Sequence, residues 1–333
     1  MNERVFSGIQ PTGLIHVGNY LGAIRSWVDV QEGYESYFCI VDYHAITIHY
    51  DPADMKDRIL DAVASNIAAG LDPEKCSIFV QSHVPEHTEL CWLLTCLTPL
   101  GNLQRMTQFK EKASRQPEHV SAGLMNYPIL QAADILLYKA SIVPVGEDQL
   151  QHLELSRVLA RKFNHTFGQT FPEPQPMLVQ QAKIMALNDP EKKMSKSLPG
   201  SYIALSDEPE EIRAKIRRAV TDTGPSHEVM APGVKNLFML LELEAFAPGD
   251  IVRYLRGAYE RRYLKYSELK HAVAEALVES LTPIRERRRE LLARPHILEE
   301  IVAEGAKKAR TIAHETMVEV KERMGLVSRH KRA

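Results

Sequence analysis

Only four cysteines occur in 333 residues, Cys39, Cys76, Cys91 and Cys96, and none forms a C-x-x-C pair. Their neighbours are apolar, so the expectation is buried, reduced thiols rather than a disulfide frame or a thiolate metal site. No run approaches the ~18 consecutive apolar residues that a membrane span requires. No basic and then apolar leader precedes the first strand-like run at Val5, and the chain is expected to stay in the cytoplasm. An excess of one charge is lacking too. Lys and Arg number 41 against 43 Asp and Glu, a net charge of -2, so nothing global advertises a polyanionic partner. The sequence shows no internal repeat and no low-complexity tract.

What is present is an ordinary globular composition, 44% hydrophobic and 25% charged, with a mean hydropathy of -0.24. That composition argues against a disordered, collagenous or disulfide-scaffold chain. At ~150 residues per domain, the length suggests roughly two domains. Charge is spread unevenly between the halves: residues 201–333 hold 24 Lys and Arg against 21 Asp and Glu, which leaves residues 1–200 acidic. The asymmetry permits a polyanionic partner for the C-terminal part without requiring one.

Short apolar runs at Val5–Ile9, Tyr37–Val41, Ser77–Gln81 and Ile142–Val145 predict strands. Segments with a 3.6-residue period predict helices at Gly18–Val30, Ala53–Ala69, Glu86–Leu97, Asn102–Arg115, Ala122–Tyr138 and Gln149–Phe163. Strand and helix in alternation imply an α/β fold, a Rossmann-like doubly wound parallel sheet with its ligand at the carboxyl ends of the strands. After the Pro-rich stretch Phe171–Pro176 the strand signal ends, and Pro209–Val220, Val234–Glu244, Ser267–Leu292 and Ile297–Met324 are helical in pattern. The expected organisation is therefore a catalytic domain over residues 1–200, with a helical insertion around 86–130. An all-helical region over 201–333 follows, its last helix a candidate to pack back on the first domain.

Two segments carry chemistry. Gln10-Pro11-Thr12-Gly13 follows the first strand and leads into His16-Val17-Gly18-Asn19, where a helix begins. A Gly-bearing turn at a helix N-terminus lets the backbone approach a phosphate, and the unpaired N–H groups there favour its charge. His16 can donate to a phosphate oxygen and Asn19 can hydrogen-bond a neighbour. The same residues can also simply cap and pack the helix. The second segment is Lys192-Lys193-Met194-Ser195-Lys196-Ser197-Leu198-Pro199-Gly200, a basic loop with hydroxyls between its lysines. Lysine is a compact point charge suited to phosphate, and such a loop can close over a triphosphate as charge shifts to leaving pyrophosphate. Alone it also reads as a solvated turn.

Together, His16-Val17-Gly18-Asn19 and Lys193-Met194-Ser195-Lys196-Ser197 resemble the two signatures of the class I aminoacyl-tRNA synthetases. The second is unaltered; the first ends in Asn where the general pattern has His, an ending usual in the tryptophanyl members. Further segments resemble bacterial tryptophanyl-tRNA synthetases: Phe6-Ser7-Gly8-Ile9-Gln10, Val41-Asp42-Tyr43-His44, Met106-Thr107-Gln108-Phe109-Lys110-Glu111-Lys112 and Val145-Gly146-Glu147-Asp148-Gln149. The resemblance covers essentially the whole chain.

The resemblance implies a two-step reaction. L-tryptophan attacks the α-phosphate of ATP, with Mg²⁺ carried on the phosphates rather than in a protein metal site, and the tryptophanyl group then passes to tRNA(Trp). Positioning and charge stabilisation should dominate such phosphoryl chemistry. By resemblance, His16, Asn19, Lys112, Lys193 and Lys196 are the catalytic residues. Gln10, Pro11, Thr12, Gly18, Asn19 and Asp148, with Lys193, Met194, Ser195, Lys196 and Ser197, line the nucleotide site. The amino-acid pocket takes Phe6, Gly8, His44, Tyr127, Gln131, Asp134, Val143, Val145 and Gln149. The family also implies a homodimer with the inserted helices near the interface.

Indole offers one N–H donor and no acceptor, so a buried pocket needs one acceptor, such as the Asp134 carboxylate, between apolar walls. Asp134 could instead be a helix-surface acid, but its flanks Ala132-Ala133 and Ile135-Leu136-Leu137 make an unpaired acid there costly. A tyrosine hydroxyl could also donate to Asp134, and Gln131 stands where many tryptophanyl members carry Met and tyrosyl members carry Gln. Tyrosine therefore stays as an alternative substrate, and a non-charging RNA-binding paralogue as an alternative class. Small nucleotidylyltransferases share an H-x-G-H-type turn but lack the Lys193–Ser197 segment. In the helical half, Arg213, Lys215, Arg217, Arg218 and the run Arg285-Glu286-Arg287-Arg288-Arg289 can meet RNA phosphates. The run reads equally as a solvated face with internal Glu–Arg pairs.

Overall fold

The structure, a computed structural model, describes residues 3–107, 120–178, 184–196, 198, 200–222, 229–242 and 248–327. Among the described residues five strands, β1 (Arg4–Ile9), β2 (Glu35–Ile40), β3 (Ser77–Val80), β4 (Ile142–Val145) and β5 (Gln175–Leu178), form one sheet in the order β3-β2-β1-β4-β5. Every pairing is parallel. The order reverses between β1 and β4, and the carboxyl ends of those two strands open the crevice in which such sheets bind ligands.

Alternation along the strands divides the core in two. Val5, Phe38, Ile40, Ile78 and Val80 face one side, where the Pro52–Ala68 helix and the C-terminal helices cover them. Phe6, Tyr37, Cys39, Phe79, Val143 and Val145 face the other, beneath the helices Glu86–Leu97, Ala122–Leu137 and Leu150–Phe167. Side chains that alternate on a strand point to opposite faces, so strands apolar on both faces are buried on both.

The helical half consists of Pro209–Arg218, Pro232–Glu242, Gly249–Glu260, Tyr266–Leu292 and Pro295–Arg323. The last of these lies directly on edge strand β3. A Cβ at Gly305 would stand 2.0 Å from the Ile78 carbonyl oxygen, so the close approach tolerates only glycine. Ala306, Ala309 and Ala313 of the same helix join the core that holds Phe6 and Tyr37. A covered edge strand offers no template for pairing with another chain.

Several expectations are corrected. The predicted end of strand signal at Phe171–Pro176 missed β5, where Pro176 sits on the outermost strand and needs no ladder donor on its free side. The helix Gly249–Glu260 was not predicted, although Val252, Leu255 and Tyr259 recur at helical spacing and all three join the core. The predicted helix Gly18–Val30 is three pieces, Val17–Asn19, a π-helical turn Tyr20–Ile24 and Arg25–Val30. Of the predicted Asn102–Arg115, the described part is a short helix, Leu100–Gln104; residues 108–115 lie outside the described residues. Cys39, Cys76 and Cys91 are buried free thiols, but Cys96 is exposed because it lies on the outer face of the Glu86–Leu97 helix.

Candidate active site

At the crevice a cleft of about 1150 Å³ is walled on one side by Gln10, Thr12, His16, Gly18 and Asn19 and on the other by Lys193, Met194, Ser195 and Lys196. Asp148, just beyond β4, closes its third side. The two segments that the sequence separates by about 180 residues thus face one another. Pro11 is buried beneath the loop rather than lining the cleft. Lys112 and Ser197 lie outside the described residues.

His16 and Asn19 cap the helix reciprocally. The Asn19 backbone N–H donates to His16 Nδ1 at 3.2 Å, and the His16 N–H donates to Asn19 Oδ1 at 3.3 Å. Capping and ligand binding, which the sequence offered as alternatives, are compatible. Burial, with the charges of Lys196 and Lys193, lowers the imidazole pKa to about 4, so the ring is neutral at pH 7. With Nδ1 accepting, its hydrogen resides on Nε2, which is the nitrogen left to donate. Gly18 lies so close to that ring that a Cβ would sit 3.0 Å from His16 Cε1 and Nδ1.

The opposite wall begins in a small hairpin, with Ala186 N–H donating to the Lys192 carbonyl at 2.8 Å and Met194 N–H to the Ile184 carbonyl at 3.0 Å. Met194 is buried and anchors the loop. Lys196 reaches across to donate to the Gly13 carbonyl at 3.0 Å. Gly13 has φ +132°, a conformation that side chains rarely adopt, and it is this turn that presents the carbonyl. Burial lowers the Lys196 ammonium to about 8.

The residues expected around the amino acid gather beside this cleft, on the sheet face that bears Phe6. Phe6, Tyr127, Val143 and Val145 are buried. Gly8 continues that face, and a Cβ there would meet Val41 Cγ1 at 2.7 Å. Gln131 donates to Gln149 Oε1 at 3.4 Å, and Gln149 to Asp148 Oδ2 at 3.0 Å, so a polar chain runs from the pocket helix to the cleft.

Asp134 is 1% exposed, which removes the surface-acid alternative. Its Oδ2 accepts from His44 Nε2 at 2.8 Å. Its Oδ1 accepts from Gln81 Nε2 at 2.8 Å and from His87 Nδ1 at 2.7 Å. Burial pushes the carboxyl upward, but the hydrogen bonds and charge that His44 and His87 turn on it prevail and hold it at about 2. The sequence reasoning named His44 and missed Gln81 and His87. Gln81 begins the 3-10 turn that follows β3 and His87 lies in the first turn of the next helix, and a buried acid demanding partners is the signal that could have prompted a search for donors just beyond strand ends.

The C-terminal cations are mostly committed. Arg213 pairs with Glu275 and Glu210, and Lys215 with Asp207. Arg288 pairs with Asp61, Arg289 with Glu208 and Arg287 with Glu290. Arg285 is buried and donates to the Asp207 carbonyl. Within the Arg285–Arg289 run, Arg285, Arg288 and Arg289 therefore join the helix to other elements, an arrangement that differs from the expected solvated face, whereas Arg287–Glu290 is a pair inside the helix. Arg217 and Arg218 remain on the surface.

A family model described as tRNA synthetases class I (W and Y) matches residues 2–282. The chain is 46% identical over 331 residues to the tryptophan–tRNA ligase of Clostridium perfringens, covering 98% of each. It is 47% identical over 330 residues to that of Wolinella succinogenes, covering 98% of this chain and all of the relative. A crystal structure of tryptophanyl-tRNA synthetase from Campylobacter jejuni, complexed with ADP and tryptophan, matches with a TM-score of 0.85 at 36% identity, covering 97% of this chain and 100% of that one.

Proposed function

The chain belongs to the class I tRNA synthetases (W and Y), and on that footing we propose its reaction: it activates L-tryptophan with ATP and passes the tryptophanyl group to its tRNA. The observation that carries the reading is the cleft that sets the His16 turn against the Lys193–Lys196 loop, beside a buried acceptor in an apolar pocket. A tryptophan carboxylate oxygen attacks the α-phosphorus, the bond to the bridging oxygen breaks, and pyrophosphate leaves. A hydroxyl of the terminal tRNA ribose then attacks the acyl carbon and AMP departs.

Each residue has a physical task in this scheme. Neutral His16 donates from Nε2 to a phosphate oxygen without competing with the lysines for charge. Lys196 exchanges a neutral carbonyl for charged phosphate oxygens, and charge-assisted hydrogen bonds are roughly twice as strong as neutral ones. Oδ2 of Asp134 accepts the indole N–H between the walls made by Phe6, Val143 and Val145. Mg²⁺ would be held by triphosphate oxygens and water, with Asp148 as the carboxylate in the cleft. When bound, it shares the phosphate charge.

Residues 1–200 form the catalytic part in this reading, and residues 201–333 meet the anticodon end of the tRNA, with Arg217 and Arg218 as surface cations for its phosphates. The reaction takes place in the cytoplasm, where tRNA is charged. Amino-acid-dependent exchange of labelled pyrophosphate into ATP, run with all twenty amino acids, is expected to respond to tryptophan and far less to tyrosine. A response dominated by tyrosine would reassign the substrate, and silence with every amino acid would leave a non-charging paralogue.

The active form in this reading is a homodimer. Trp92 is 67% exposed and Leu100 60% exposed, both within the inserted helices. Both are large apolar side chains that a second copy could cover in a two-fold contact. Light scattering on the purified protein should give twice the chain mass, and Trp92→Glu should shift it toward the monomer. A parent that scatters as a monomer would sink the dimer.

A further inference from the structure

Deepening the tryptophan reading, and resting on it, we propose that His87 is a positioning residue for substrate selection: with Gln81 it fills Oδ1 of Asp134, keeps the carboxylate an acceptor, and leaves Oδ2 as the atom that receives the ligand's ring donor.

A carboxylate offers about four acceptor positions, two on each oxygen. Gln81 Nε2 and His87 Nδ1 take both positions on Oδ1, at 2.8 and 2.7 Å. His44 Nε2 takes one on Oδ2, at 2.8 Å. One position remains, and it fixes both where a ligand donor must arrive and that the ligand must donate. A carboxylate held by three donors does not turn to meet a misplaced group, so selection passes to the reach of the ligand's ring.

His87 is itself held. It is fully buried, and its Nε2 faces the Tyr138 hydroxyl at 2.8 Å. With His87 neutral the tyrosine hydroxyl donates to Nε2; with it protonated the ring donates to the tyrosine oxygen. In either state Nδ1 is kept toward Asp134. Tyr138 is also fully buried, and its ring stacks on Phe6 with centroids 5.4 Å apart and planes inclined by 7°. One chain of contacts therefore ties the acceptor to a pocket wall, so a shift in His87 moves both.

Other titratable groups around Asp134 and its partners lie on several elements. Cys39 lies on β2, Cys91 and Glu86 on the Glu86–Leu97 helix, His44 and Asp42 on the turn after β2, and Tyr138 follows the pocket helix. Burial pushes the Cys39, Cys91 and Tyr138 groups upward, so they remain neutral. The histidines supply hydrogen-bond donors to the carboxylate.

The test compares tryptophan KM in pyrophosphate exchange at about pH 8 and about pH 5.5 for the parent, His87→Leu and His87→Gln. In the parent Asp134 stays ionised throughout, and KM should change less than about twofold. Leucine removes a donor while burial remains, so the carboxyl rises and the acceptor is lost as pH falls through the raised value. KM should then climb by about tenfold or more between the two pH values, with kcat less affected. Glutamine restores an N–H donor and should flatten the profile. A leucine variant raised equally at both pH values has merely a damaged pocket, and that result overturns the proposal. A ¹³C titration of the Asp134 carboxyl in the ligand-free parent, assigned with Asp134→Asn, needs neither variant nor substrate. A midpoint in the ordinary carboxylate range would overturn the clamp, whereas a parent that shows no tryptophan-dependent exchange overturns the functional reading instead.

Discussion

Lys196→Ala is expected to slow tryptophanyl-adenylate formation by roughly a hundred- to a thousand-fold, the ~3–4 kcal/mol that one preorganised transition-state contact supplies. Tryptophan affinity should scarcely change, because the amino-acid pocket lies on the other side of Asp148. In the ligand-free protein the ammonium is bonded to a neutral carbonyl, at Gly13. Its charge gains most when pyrophosphate departs, so the loss should appear in the rate at saturating substrates rather than in KM. A pH signature accompanies it. Burial lowers this ammonium from its ordinary 10.5 to about 8, so above pH 8 the empty site increasingly holds a neutral amine. A triphosphate favours the charged form, so ATP binding should take up protons between about 8 and 10.5, and ATP affinity should weaken as pH rises through that window. Calorimetry in buffers of different ionisation enthalpy measures the uptake, which Lys196→Ala should abolish. A variant that forms adenylate as fast as the parent would remove Lys196 from the transition state.

Asp134→Ala is expected to weaken tryptophan binding by roughly ten- to more than a hundred-fold, since hydrogen bonds to charged groups contribute about 1.5–3 kcal/mol. ATP affinity should be little altered. The same change strands three buried donors, on His44, Gln81 and His87, so thermal stability should fall as well. A tryptophan analogue with the ring nitrogen replaced by carbon or sulfur separates the contact from the damage. It lacks the donor, so its already poor binding should be much less sensitive to the substitution, and the two ligands with the two proteins form a cycle. Equal losses for both ligands would show that Asp134 does not accept the indole N–H. Asparagine is no milder a substitute here. With its oxygen turned to the Gln81 and His87 donors, its amide N–H₂ occupies the place of Oδ2 and meets the indole donor with a donor.

Some elements of the fold are written in local pattern alone. Strand β4 and the Glu86–Leu97 helix have the predicted bounds, because alternation and 3.6-residue periodicity are written in neighbouring residues. β5 escaped because an edge strand of four residues, half-exposed and carrying a proline, has neither a long apolar run nor clean alternation. The π-helical turn at Tyr20–Ile24 likewise has no periodic mark that separates it from the helix around it.

By itself the sequence determined the alternating α/β half, the helical half after it, and the two short segments whose residue types suit a triphosphate. Those properties are local: they depend on side chains a few positions apart and on the backbone of one turn. Only the tertiary structure decided that Asp134 is a buried, triply bonded acceptor, because its donors come from positions 90, 53 and 47 residues away on other elements. It also decided that Arg288 and Arg289 of the Tyr266–Leu292 helix pair with Asp61 and Glu208, since the same charge pattern serves several roles until those partners are packed against it. A residue type sets what a group can do. Which partners desolvate and pair it is set by the packing of helices on the sheet, which no local pattern contains.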